Sequence, residues 1–392
     1  MIKTSNQLSD CSFIFELSLT VCFTIAMLSN YYISNEQPKM FFLDIVYLRY
    51  LIYIILWFAL LLYIICSYDN IFINIKNFFI ILIGTIFIFL LFYFRGSFSF
   101  SDLMRVIIFF PFIFGPKEID AKRYMKRSYF SLIIFISLLS SFLQGTFFYD
   151  IHKSRLTTRM IFNSNDPNYS ALYFFLCFLL SYKLRYSGLK YIFLFLGLLT
   201  QSRNFILGIM VFYIIGYFES IPFFQKIFSK VKPIFVLVFF QIAVLLFGAW
   251  FINVAKSESD RDTFSLQDDS NIARFTFSAQ SLLFLSSGTR MAVIDGAGEE
   301  YWQRGNGKGT AKIIWGPAHN SFLGLFVEKG IIFSIINCIL LFVIMNQYTR
   351  VSNYKYIYSY LFMSLFLGGF TMGYNLLCFY YILSIKNYHK TN

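Results

Sequence analysis

Residues 45–66 read IVYLRYLIYIILWFALLLYIIC, and within that stretch only Arg49 carries a charge. A helix that crosses the hydrocarbon of a bilayer needs roughly 20 predominantly apolar residues, and this run has that length. Runs of the same character recur at Phe13–Ile33, Phe78–Phe94, Leu103–Phe114, Tyr129–Phe148, Tyr169–Tyr182 and Tyr191–Leu199. Further runs cover Phe205–Phe218, Ile234–Val254, Phe322–Met345, Tyr354–Met372 and Tyr374–Ile385. The composition says the same. Of 392 residues 58% are hydrophobic and 22% aromatic, with 53 Phe and 28 Tyr, and only 14% are charged. Soluble domains carry about 25% charged residues, so soluble and disordered readings are excluded. The expectation is an all-α, polytopic transmembrane helix bundle of roughly ten to twelve spans, twelve preferred.

The net charge of +13 would suggest nucleic acid in a soluble protein. In a polytopic chain it is read as the bias of Lys and Arg toward cytoplasmic loops, and no nucleic-acid partner is expected. With twelve spans and the N-terminus inside, the cytoplasmic segments collect Lys117, Lys122, Arg123, Lys126, Arg127, Lys183, Arg185 and Lys190. They also hold Lys226, Lys230, Lys232, Arg350, Lys355, Lys386 and Lys390. Short external loops keep Lys39, Arg95, Lys153, Arg155, Arg159 and Arg203. Both termini are therefore expected in the cytoplasm, and the first apolar run is expected to stay as a membrane helix. The six cysteines show neither CxxC nor Cys/His spacing, so neither a disulfide framework nor a zinc site is suggested.

Three regions follow: helices with short loops over 1–254, a long external loop over 255–319, and helices with a cytoplasmic tail over 320–392. A loop of about 60 residues is uncommon unless it is functional. Within it Ile272, Phe275, Phe277, Leu282 and Leu283 recur at helical spacing, which predicts an amphipathic helix over Asn271–Ser286. Four external arginines stand out: Arg159 ahead of a span, Arg203 between two short spans, and Arg274 and Arg290 in the long loop. A charge between apolar spans is costly unless paired or functional. Guanidinium groups converging on one cavity suit a diphosphate, whose oxygens Arg binds in pairs. His319 directly precedes a span, and a neutral imidazole there can accept a proton.

Three ordered stretches carry a resemblance. They are Arg159 followed by Asp166-Pro167-Asn168, then Thr200-Gln201-Ser202-Arg203, then His319-Asn320-Ser321-Phe322-Leu323 continuing to Glu328-Lys329-Gly330-Ile331. Together they resemble the O-antigen ligase and O-antigen polymerase superfamily of bacterial envelope glycosyltransferases, and most of all a polymerase. The family carries an Arg in the long loop ahead of a Gly-x-Gly turn. Here Arg274 precedes Gly296-Ala297-Gly298 and Arg290 precedes Gly305-Asn306-Gly307, and both registers stay open.

The resemblance implies a metal-independent and cofactor-free glycosyl transfer at the periplasmic face of the bacterial inner membrane. The donor would be an undecaprenyl-diphosphate-linked oligosaccharide, extended in lipopolysaccharide biosynthesis. Arg159, Arg203, Arg274 and Arg290 are the candidate diphosphate ligands, His319 the catalytic base, and Asn168, Asn320 and Glu328 the supporting residues. Membrane lipids, a chain-length regulator and a flippase would be its partners. Trp302 and Trp315 are candidates to pack on sugar rings or to anchor at the interface. A ligase that moves finished polymer to lipid A-core is the first alternative, and a polysaccharide flippase or transporter the second. Asp260-Arg261-Asp262 has the spacing of a metal-binding Asp-x-Asp but reads as chance in a polar loop. There is neither a Walker motif nor a GxGxxG.

Overall fold

The computed structural model describes residues 5–28, 39–40, 43–66, scattered positions between 79 and 115, 118–143, 148–150 and 158–160. It further describes 167–255, 269–298, 320–348, 353–365 and 373–386. The described residues are all-α apart from two small antiparallel ladders, β1 (Lys39–Met40) with β2 (Leu43–Asp44), and β3 (Phe148–Asp150) with β4 (Thr158–Met160). The first helices are α1 (Ser5–Leu28), α2 (Ile45–Cys66), the short α3 (Ala121–Tyr124) and α4 (Arg127–Leu143). Next come α5 (Pro167–Lys183), α6 (Ser187–Leu199), α7 (Arg203–Glu219), α8 (Pro222–Lys230) and α9 (Pro233–Ala255). Then follow α10 (Asp269–Ser286), a π-helical turn at Met291–Asp295, α11 (Ser321–Lys329), α12 (Ile331–Gln347), α13 (Tyr354–Ser364) and α14 (Gly373–Ser384).

Helix α2 has the bounds of the apolar run 45–66, and α10 covers the expected amphipathic segment with two residues added at its start. The run Phe322–Met345 behaves differently. It is read as one span, but the chain breaks at Gly330, whose φ of 79° ends α11 and starts α12 at a new angle. Helix α8 lies in what reads as a plain cytoplasmic loop. Among the described residues no single helix is long and apolar enough to cross a membrane, although α7 and α8 pass together as a pair bent by 110°.

Every described side chain of α5 from Ser170 to Ser181 is buried, and α13 and α14 are nearly as enclosed. A helix that is apolar all round belongs in the middle of a packed bundle. Around this centre, α1 packs on α2 and α14, α6 on α5, and α7 along α13. The outer faces are apolar as well: Phe235 is 65% and Phe239 68% exposed on α9, and Phe135, Phe142, Phe195 and Tyr217 are similarly bare. Close approach depends on two glycines. A Cβ at Gly197 would lie 2.0 Å from the Phe205 ring, and one at Gly208 would lie 2.4 Å from the Met363 sulfur.

Burying polar groups requires that they be paired, and the far ends of α5 and α7 show how this is done. Asn353 stands at the N-cap of α13 but does not cap it. Its side-chain amide donates to the Tyr348 carbonyl, and its oxygen accepts from Lys183 Nζ. Glu219 of α7 substitutes: its carboxylate accepts the Lys355 backbone N–H at 2.7 Å and lies 3.7 Å from Lys355 Nζ. Lys183 also sits 4.9 Å over the Tyr356 ring, a favourable cation–π placement. Lys183 and Glu219 lie just beyond the ends of the apolar runs Tyr169–Tyr182 and Phe205–Phe218. Burial pushes the Glu219 carboxyl up to about 7, against the pull of Lys355 and Lys183. Burial, with Lys355 adding, pushes the Lys183 ammonium down to about 7.

Two outcomes follow from this packing. Gly197→Ala forces Phe205 to move in a closed hairpin and lowers stability by about 1–3 kcal/mol, read as a lower thermal midpoint of the detergent-solubilised protein. For Lys183, the unfolded chain holds its proton up to about 10.4, whereas the folded chain releases it near 7. Over that window the unfolded state binds more protons, so this residue's contribution grows as pH rises from 7 and is lost as pH falls through 7. The midpoint of wild type minus that of Lys183→Met therefore increases between pH 7 and 9.5, and a difference that does not change with pH contradicts the assignment.

Candidate functional site

At the end of the bundle where α5 and α7 begin, the first two sequence motifs meet. The ladder of β3 and β4 packs against α5 and sets Arg159 opposite Tyr149; the Arg159 side chain lies outside the described residues. Helix α5 opens on Pro167, a residue whose fixed φ suits a first helical position. Asn168 follows, and its Oδ1 accepts a hydrogen bond from the Ser202 hydroxyl at 2.9 Å. Ser202 occupies the N-cap of α7 yet makes no cap bond there. Its hydroxyl is spent on α5 because the chain reverses sharply before it. Gln201 adopts a left-handed φ of 51°, and Thr200 Oγ1 donates to the Gly197 carbonyl and accepts the Ser202 N–H.

Arg203 is then the first residue of α7 and is half-buried. Neither α5 nor α7 has an acidic residue in its first turn. A guanidinium beside the positive end of a helix dipole favours an anion. Two helix starts and Arg203 meet at this corner, with Asp166 directly preceding α5 in the sequence.

The third motif is built around α11. Asn320 caps it, its Oδ1 accepting the N–H groups of Phe322 (3.0 Å) and Leu323 (3.1 Å). Its amide Nδ2 donates to Gln241 Oε1 of α9 at 2.8 Å. Residue 319 is attached to this fixed point; His319 itself lies outside the described residues. At the other end of α11, Gly296-Ala297-Gly298 docks backbone to backbone. Ala297 N–H donates to the Val327 carbonyl at 2.8 Å and Gly298 N–H to the Glu328 carbonyl at 3.0 Å. Gly296 has φ 73°, and a Cβ there would stand 2.2 Å from the Glu328 oxygen. A Cβ at Gly330 would stand 2.9 Å from the Ile294 oxygen. Ser334 completes the break by donating to the Leu325 and Gly330 carbonyls. Glu328 thus contributes its main-chain oxygen to the fold, and its side chain is half-buried.

A relay of neighbouring contacts runs from α7 through α13 and α9 to the cap of α11. Gly208 of α7 meets Met363 of α13, the Phe362 ring lies 5.6 Å from Phe240 of α9, and the next residue, Gln241, holds Asn320. Gly208 is five residues past Arg203, roughly 8 Å along the helix. Arg274 lies in the first half of α10, which packs on α9 and α11, and its side chain is outside the described residues. Arg290 is exposed. Its guanidinium is 3.4 Å from the Asp295 carboxylate and donates to the Phe94 carbonyl at 3.0 Å, so it links the π-turn to a neighbouring segment. Gly305-Asn306-Gly307, Trp302, Trp315 and Asp260-Arg261-Asp262 lie outside the described residues.

Gln241 is a residue that sequence reasoning passed over. The signal was present: an amide inside the otherwise apolar Pro233–Gly248, where polar groups are expensive and by default functional. While its oxygen holds Asn320, its Nε2 is buried and has no hydrogen-bond partner among the described residues. Compared with protein-family models, with curated proteins and with solved structures, the chain matches none.

The docked turn can be tested by two glycines with different surroundings. Gly288, also left-handed, has open space around its would-be Cβ, so Gly288→Ala carries the conformational cost of about 1–2 kcal/mol alone. Gly296→Ala adds a collision with backbone that cannot rotate away. Its thermal midpoint falls well below that of Gly288→Ala, and equal midpoints would show that the turn is not docked on α11.

Proposed function

We propose that the chain is a polytopic inner-membrane glycosyltransferase, an O-antigen polymerase that joins undecaprenyl-diphosphate-linked repeat units at the periplasmic face. The observation that supports the reading is the bond between two of the motifs, the Ser202 hydroxyl donating to Asn168 at the start of α5. The bare apolar outer faces of α4, α6, α7 and α9 support a lipid solvent, because soluble proteins rarely expose contiguous apolar surface on that scale.

In this reading the anomeric carbon of the donor sugar loses its bond to the diphosphate oxygen, which keeps the electron pair. The acceptor hydroxyl forms the new bond to that carbon, and its proton passes to His319. Charge gathers on the departing diphosphate. Arg203, with Arg159 and a loop arginine, would stabilise it through preorganised donors in a site shielded from water, and the starts of α5 and α7 favour the same charge. The Nε2 donor of Gln241 would add one hydrogen bond to an oxygen-rich ligand. Asn168 and Asn320 act as positioning residues, fixing where Ser202–Arg203 and residue 319 stand.

Lipopolysaccharide banding in a deletion strain separates the readings. Complementation with wild type restores the ladder, whereas His319→Ala and Arg203→Ala give core plus a single repeat unit while the protein inserts normally. Removing one group that acts in the transition state lowers rates by about 100-fold or more, enough to erase the ladder. Bare core with accumulated lipid-linked polymer would identify a ligase, and single units trapped on the cytoplasmic leaflet a flippase. Wild-type ladders from both variants would refute the site.

A further inference from the structure

We propose that α8 is an interfacial helix that binds the anionic phospholipid headgroups of the cytoplasmic leaflet. The inference rests on the membrane placement proposed above and is independent of the transfer chemistry.

Helix α8 runs from Pro222 to Lys230 and is turned by 110° from the direction of α7. It therefore lies across the end of the bundle instead of continuing out of it. Three sectors share its circumference at 3.6 residues per turn. The first faces inward: Phe224 stacks near Phe218 at 4.5 Å, and Phe228 packs on Tyr354 at 5.5 Å and Tyr358 at 5.7 Å. Next to it, one turn apart, come Phe223 and Ile227, both exposed. Beyond these, again one turn apart, come Lys226 and Lys230, and Lys232 follows the helix, all exposed.

Residues 222–232 contain no acidic side chain. The nearest one in sequence, Glu219, is buried and engaged with Lys355. Both ends of the helix are pinned. Gln225 Nε2 donates to the Glu219 carbonyl at 2.7 Å, and the Tyr358 hydroxyl donates to the Val231 carbonyl. A rigid helix with one face on protein, one apolar edge and one basic edge fits the boundary between acyl chains and headgroups. There Phe223 and Ile227 enter the acyl region, and the lysines extend to the headgroups while their methylene stems stay in apolar surroundings. An anionic leaflet attracts each such lysine, so the charge commits the surface to anionic lipid.

The test uses the full-length protein in nonionic detergent, with its thermal midpoint followed as short-chain phosphatidylglycerol or phosphatidylcholine is added. Phosphatidylglycerol raises the midpoint saturably, phosphatidylcholine and inorganic phosphate do not, and 0.5 M salt weakens the response. The K226Q/K230Q/K232Q variant keeps the lipid-free midpoint but needs at least about tenfold more phosphatidylglycerol for half the effect. An unchanged response in that variant, an equal response to phosphatidylcholine, or a response to inorganic phosphate overturns the proposal. Alkaline carbonate washing of cell membranes tests the underlying placement separately. Release of the chain would refute membrane insertion itself, whereas retention combined with a lysine-independent response refutes the lipid site alone.

Discussion

The carboxylate of Glu219 accepts the backbone N–H of Lys355, and much of the architecture depends on that bond. It lets one helix cap another, so α7 and α13 are joined at the level where α13 begins. Farther along, Gly208 admits Met363 and keeps the two axes close. The opposite end of α7 is held by the same kind of exchange. Ser202 leaves its own helix uncapped and gives its hydroxyl to Asn168. An element fixed at both ends by neighbours transmits position: whatever sets α13 at one end also sets where Arg203 stands at the other. Polar groups in an apolar bundle need partners, and here those partners define the geometry.

Local features were legible in the sequence and long-range ones were not. The bounds of α2 follow from an apolar run that needs no neighbour, and α10 from a periodic stripe. The reversal at Thr200–Arg203 is visible as polar residues between two apolar runs. The break at Gly330 carries a local stop signal, Lys329 followed by Gly, but its docking partner is not local. Gly296–Gly298, some thirty residues earlier, brings its N–H groups to carbonyls at the end of α11. Helix α8 was hidden by its brevity and its lysines, which read as loop charge. As for the candidate site, the contact of Ser202 with Asn168 relates two of the stretches that the motifs single out. Arg290 reads from sequence as a candidate diphosphate ligand, and its guanidinium is shared between Asp295 and the Phe94 carbonyl. Gln241 acquires meaning only beside Asn320.

The titratable cluster of Lys183, Glu219 and Lys355 sits at the opposite end of α5 and α7 from the candidate site. Both ends therefore concentrate polar groups, while between them Phe178 of α5 and Phe212 of α7 pack edge to face.

The docked turn also bears on how such a chain can diverge. The N–H groups of Ala297 and Gly298 are the partners of the Val327 and Glu328 carbonyls, so part of the long loop belongs to the hydrogen bonding of the broken helix beneath it. Exchange of the loop alone between related chains would strand those carbonyls or bring a side chain against them. Residues 296–298 and 327–330 form one hydrogen-bonded unit, distant in sequence but joined in the fold, so a side chain added at Gly296 meets the backbone of Glu328 and Lys329.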